Sequence, residues 1–130
     1  MKRRFRAILR SRRARVTILV LVSLLILGLS LMPRPIQVLK DVSYSDKIEH
    51  CVAYMVLAFC MCGAFMRKGY LPLILTIVVC AAYGGMIEIV QPFMGRMKDA
   101  LDFVADVSGA TIGAMLSGLV FRMIPPRKTV

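Results

Sequence analysis

Three short blocks carry nearly all the residues able to do chemistry. The first is Asp46, Lys47, His50 and Tyr54, in "SDKIEHCVAY". Asp46 and His50 are four apart and share a helical face, with Tyr54 one turn further on. The second is Glu88 and Gln91, three apart in "GGMIEIVQ". The third is Asp99, Asp102 and Asp106, a stripe at i, i+3, i+7 in "MKDALDFVADVSG", with Arg96 just before it. Carboxylates near a lone histidine suit proton transfer, with His50, Glu88 and Asp102 as candidate acid–base groups. The carboxylates also suit amines or hydroxyls, and Lys47 and Arg96 suit phosphate or carboxylate groups. Each block has a blander reading. Asp46 with Glu49 resembles a helix N-cap and its N3 partner. His50 could serve only as a hydrogen bond between membrane helices. Glu88 could be held in a structural pair with Lys47, His50 or Arg96.

The elements that must position these residues are apolar. Hydrophobic residues make up 58% of the 130, and the mean hydropathy is +0.74. Soluble domains hold roughly 45–50% apolar residues, so lipid is the expected solvent. Four apolar runs read as membrane spans at 16–32, 48–66, 71–91 and 101–124. They follow a basic segment, 1–15, and precede a short tail, 125–130. Pro33-Arg34-Pro35 follows the first run where a signal peptide would carry a small-residue cleavage site, so a retained anchor is expected. The expected fold is therefore all-α, an integral membrane bundle of four transmembrane helices.

The net charge of +11 would suit nucleic acid, but its distribution does not. Lys2, Arg3, Arg4, Arg6, Arg10, Arg12, Arg13 and Arg15 precede the first run directly, as in a cytoplasmic flank. With both termini cytoplasmic, the inner side also gains Arg67, Lys68, Arg122, Arg127 and Lys128. The outer side keeps Arg34, Lys40, Lys47, Arg96 and Lys98. All the acids, Asp41, Asp46, Glu49, Glu88, Asp99, Asp102 and Asp106, then lie on the outer side or at the outer ends of spans. The positive-inside rule does not require that, because acids weigh little in it.

The outer ends of spans two, three and four should therefore enclose one polar pocket. Its expected members are Asp46, Lys47, His50, Tyr54, Glu88, Gln91, Arg96, Asp99, Asp102 and Asp106. Tyr44, Tyr54, Phe93 and Phe103 would line its rim as interfacial aromatics. Small residues would pack the last span inside the bundle, in rows through Ala105, Gly109, Gly113 and Ser117 and through Ala110 and Ala114. Ala81 and Gly85 would give the third span a matching face. Cys51, Cys60, Cys62 and Cys80 show no metal-ligand spacing and read as small packing residues. Neither a metal nor a cofactor is expected.

The blocks resemble the VanZ-like family of small membrane proteins. That family's pattern opens one span with D-K-x-x-H-x-x-x-Y, matched by Asp46, Lys47, His50 and Tyr54. It closes the next with E-x-x-Q, matched by Glu88 and Gln91, and an arginine follows, matched by Arg96. The last span opens with D-x-x-x-N-x-x-G, matched by Asp102 and Gly109. Asp106 stands where the family more often has asparagine, which adds an acid. The match runs over about 46–118. The resemblance implies a four-helix membrane protein of the bacterial cell envelope, in the cytoplasmic membrane. Its namesake is linked to resistance to teicoplanin, a lipid-tailed glycopeptide antibiotic.

Four functions are compatible with these features. One is binding of a membrane lipid or lipid-linked envelope precursor head group, changing access of lipoglycopeptides. Another is an intramembrane acid–base enzyme acting on such a lipid. No serine or cysteine nucleophile carries a recognisable signature for it. A proton or ion pathway would need relays in the inner halves of spans two to four, where nothing ionisable precedes Arg122. A structural partner in a larger complex would use the small-residue rows alone.

Overall fold

The computed structural model describes residues 11–32, 45–65, 70–95 and 99–122. Four helices occupy them: α1 Arg12–Ser30, α2 Ser45–Phe65, α3 Leu71–Val90 and α4 Ala100–Arg122. All four are long and apolar enough to cross a membrane. The all-α membrane bundle is thus as the sequence leads one to expect.

The ends follow local chemistry. Ser11 caps α1 by accepting from the Ala14 amide at 3.3 Å, so the helix begins four residues before the apolar run does. Arginine is a good helix former, and Arg12, Arg13 and Arg15 extend the first turn without difficulty. Pro72 lies in the first turn of α3, where its missing N–H costs nothing. Pro92 has the opposite effect. It cannot donate to the Glu88 carbonyl, and its ring crowds that group. The α-helix stops at Val90 and tightens into a 3₁₀ turn, Gln91–Met94. Gly95 ends the turn at φ +75°, a conformation suited to glycine.

The bundle is turned outside-in relative to a soluble one. Leu21, Leu25, Ile74, Met86, Val104 and Met115 are exposed. The inward face of α4 holds Asp102, Asp106, Gly109, Ala110, Gly113, Ala114 and Ser117, all buried. The most extensive contact is between α2 and α4, and two glycines explain it. A Cβ on Gly109 would stand 2.0 Å from the Cys51 carbonyl oxygen, and one on Gly113 would stand 2.0 Å from that of Met55. The two backbones touch, as small-residue rows in membranes allow. Ser117 extends the row by donating to the Phe59 carbonyl at 3.0 Å.

On α3 the inward row is Thr76, Cys80, Gly84 and Glu88, and Ala81 and Gly85 are only partly buried. The small face expected at Ala81 and Gly85 is therefore set one residue off. Packing of Tyr54 and Asp106 against Gly84 selects the register. Helix α1 lies to the side, with only Leu19 and Ile26 buried. Tyr83 ties it to α3 by donating to the Ser23 carbonyl at 2.7 Å.

Candidate functional site: an acidic cluster at one end of the bundle

The starts of α2 and α4 and the end of α3 meet at the same end of the bundle. Lys47 is the hub nearest the helix ends. Its ammonium lies 2.6 Å from Asp46 Oδ2, 2.5 Å from Asp99 Oδ2 and 2.7 Å from Asp102 Oδ1. Asp46, Asp99 and Asp102 form the kind of acidic triad that can hold a metal ion, but here a lysine ammonium occupies its centre. Asp99 stands just before α4. Its hydrogen bond to Lys47 holds its carboxyl below the usual carboxylate range. The sequence offers Asp46 as a helix cap; the structure places it inside the first turn of α2, directed at Lys47.

One turn deeper, His50 Nδ1 meets Asp106 Oδ1 at 2.8 Å, and His50 Nε2 faces Asp102 Oδ2 at 3.8 Å. Asp102 thus lies between the lysine and the histidine. The side chain of Asp106 is only 2% exposed and that of His50 13%, so the pairing is partly buried. A hydrogen-bonded carboxylate fixes the orientation of an imidazole and directs its other nitrogen. That other nitrogen points towards Asp102.

The least satisfied side chains come from the end of α3 and the middle of α2. Glu88 is 3% exposed, and neither carboxyl oxygen has a hydrogen-bond partner among the described residues. Tyr54 is 2% exposed, and its hydroxyl is likewise unpartnered among the described residues. The expectation that Tyr54 lines the rim is corrected here, because it points inward at the level of Gly84. A Cβ on Gly84 would lie 2.7 Å from Asp106 Oδ2 and 3.1 Å from the Tyr54 hydroxyl. Gly84 is therefore the floor of the cluster. The pair "GG" hints at a close approach, but which glycine makes it depends on the bundle.

Gln91 has a different task from its neighbours. Its Nε2 donates to the Ser30 carbonyl at 3.3 Å, satisfying an end group of α1. Phe93 is strongly exposed and Phe103 partly so, in keeping with a rim position, whereas Tyr44 lies outside the described residues. Arg96 also lies outside them. The structure thus brings together Asp46, Lys47, His50, Tyr54, Glu88, Asp99, Asp102 and Asp106, and directs Gln91 to α1.

Apolar helices closed around a buried acid–histidine cluster define a multi-pass membrane protein with an ionisable site inside its spans. A family model described as VanZ/LLP1 matches residues 6–121, and the chain belongs to that family. No curated protein and no solved structure matches it.

Proposed function

We propose that the cluster is a head-group site facing the outer leaflet of a bacterial cytoplasmic membrane. It binds a lipid or a lipid-linked envelope precursor, and so alters access of lipoglycopeptides such as teicoplanin to the cell surface. The observation that carries this reading is Glu88, a carboxyl buried inside a span without a partner among the described residues. An unpaired charge inside a membrane span is costly, and such residues mark functional positions. Family membership supports the envelope setting. The excess of basic residues in the segments flanking the opposite end supports the orientation.

The test is teicoplanin susceptibility in a sensitive host with a single membrane, at matched membrane levels of protein. Wild type should protect, and His50→Ala, Glu88→Gln and Asp102→Asn should abolish protection. Protection kept by all three variants would reduce these residues to helix packing. No protection by wild type would detach the chain from the antibiotic.

A second reading is favoured by the His50–Asp106 contact of 2.8 Å. An imidazole oriented by a carboxylate, with its free nitrogen towards a second acid, is equipped for acid–base catalysis. In that case Glu88 or Asp102 acts as general base with His50 as its partner, and the substrate is an envelope lipid. Chemical change of such a lipid on incubation with the purified protein, lost in His50→Ala, would favour catalysis over binding.

A further inference from the structure

We infer that the head group taken by this site carries a primary ammonium, and that Glu88, Asp102 and Tyr54 receive it. The inference rests on the head-group reading above and specifies its chemistry. Among the described residues, the buried polar atoms at this end of the bundle without a hydrogen-bond partner are Glu88 Oε1 and Oε2, Asp102 Oδ1 and the Tyr54 hydroxyl. All are oxygens, and they come from three different helices. Asp102 Oδ1 is already ion-paired with the Lys47 ammonium at 2.7 Å, so it would be shared between the two cations. The Tyr54 hydroxyl can donate as well as accept, but among the described residues no cation pairs with the Glu88 carboxyl. An ammonium supplies three N–H donors and no acceptor, whereas a phosphate would add only acceptors and negative charge.

The cluster holds its own precedent. Lys47 places a primary ammonium among Asp46, Asp99 and Asp102, one layer nearer the helix ends. Glu88 and Tyr54 offer further oxygens at the same end of the bundle, together with Asp102. The same precedent removes Lys47 as a phosphate ligand, because its charge is already matched by three carboxylates. Two buried side chains without hydrogen-bond partners among the described residues distinguish this set from a merely acidic surface, since Glu88 and Tyr54 are 3% and 2% exposed.

The test uses the full chain in detergent, offered an equal mixture of three phospholipids with identical acyl chains. Phosphatidylethanolamine has the ammonium. Phosphatidylcholine keeps the charge but has no N–H. Phosphatidylglycerol has hydroxyls alone. Retained lipid is read by native mass spectrometry. Wild type should enrich phosphatidylethanolamine about tenfold over both others, the value of one charge-assisted hydrogen bond. Glu88→Gln and Tyr54→Phe should reduce that enrichment, the first to parity, while eluting as folded protein on size exclusion. Free ethanolamine is a separate arm. If it raises the thermal midpoint as the lipid does, the site reads the amine alone; if only the lipid does, it reads the amine on a lipid. Both outcomes support the ammonium.

Preference for phosphatidylglycerol, equal retention of all three, or enrichment unchanged in Glu88→Gln would overturn the inference. So would stabilisation by magnesium or calcium alone that disappears in Glu88→Gln. Equal loss of folded protein in Glu88→Gln and Arg96→Gln would also overturn it, by identifying an internal ion pair. The two readings fail separately. Teicoplanin protection lost in the variants without ammonium selectivity keeps the head-group site and rejects the ammonium. Unchanged protection rejects the head-group site itself.

Discussion

His50 and Asp106 depend on each other more closely than any other described pair in the cluster. Asp106 is buried and His50 partly so, they face each other from α2 and α4, and 2.8 Å separates them. Removing the imidazole leaves a carboxylate that is 2% exposed without its donor. Breaking a buried ion pair from one side costs about 3–5 kcal/mol, and losing a neutral hydrogen bond about 1–3 kcal/mol. His50→Ala should therefore lower the thermal midpoint in detergent clearly. Asp106→Asn keeps an acceptor for the imidazole. It should stay within about 1 kcal/mol of wild type. A midpoint as low for Asp106→Asn as for His50→Ala would show that the charge of Asp106, and not its hydrogen bond, holds the cluster. At this scale the spacing in the sequence identifies the acids, the histidine and the lysine, because helical periodicity needs only one chain. It leaves their pairing open. Lys47 reaches Asp99 and Asp102 across 52 and 55 positions of sequence, and Gln91 reaches back to Ser30.

Helix α4 shows why an element can be buried without being amphipathic in the usual sense. Its inward side is acids and small residues, and its outward side is Leu101, Val104, Met115 and Leu119. In lipid the apolar face needs no protein cover, so the inward face is chosen for close approach and polar pairing. Gly109 and Gly113 set that approach, each facing a backbone carbonyl of α2. Gly109→Ala and Gly113→Ala should each separate α2 from α4 and cost about 1–3 kcal/mol or more in detergent denaturation. Gly118→Ala meets only a Leu73 methyl at 3.4 Å, and Gly28→Ala meets nothing within 4 Å. Those two should change stability by less than about 1 kcal/mol. A ranking in which Gly28→Ala is as harmful as Gly109→Ala would remove the close-approach explanation. The rows on α4 are readable in advance because four-residue spacing on a helix needs no partner to define it. The α3 row is not, because Ala81/Gly85 and Cys80/Gly84 are equally small, and only Tyr54 and Asp106 decide between them.

For the whole molecule, the placement of the cluster relative to the membrane decides what it can meet. Every residue of the cluster lies where α2 and α4 begin and α3 ends. The opposite end has another character. There the Arg15 guanidinium lies 5.6 Å over the Phe121 ring, and Phe121 packs on Phe59 and against Gly63. By the positive-inside rule, the excess of basic residues in the flanking segments would put this second end in the cytoplasm. An envelope role requires that orientation, since lipoglycopeptides meet the membrane from outside. Two exposed aromatics report it. Phe93 is 84% exposed at the acidic end, and Tyr70 is 74% exposed at the other. With Cys51, Cys60, Cys62 and Cys80 replaced by alanine, Phe93→Cys should react with a membrane-impermeant maleimide on intact cells. Tyr70→Cys should react only after the membrane is permeabilised. The reverse pattern would put the acid–histidine cluster in the cytoplasm. It would then meet inner-leaflet lipids, and any effect on teicoplanin would have to act through precursor supply, without contact at the surface.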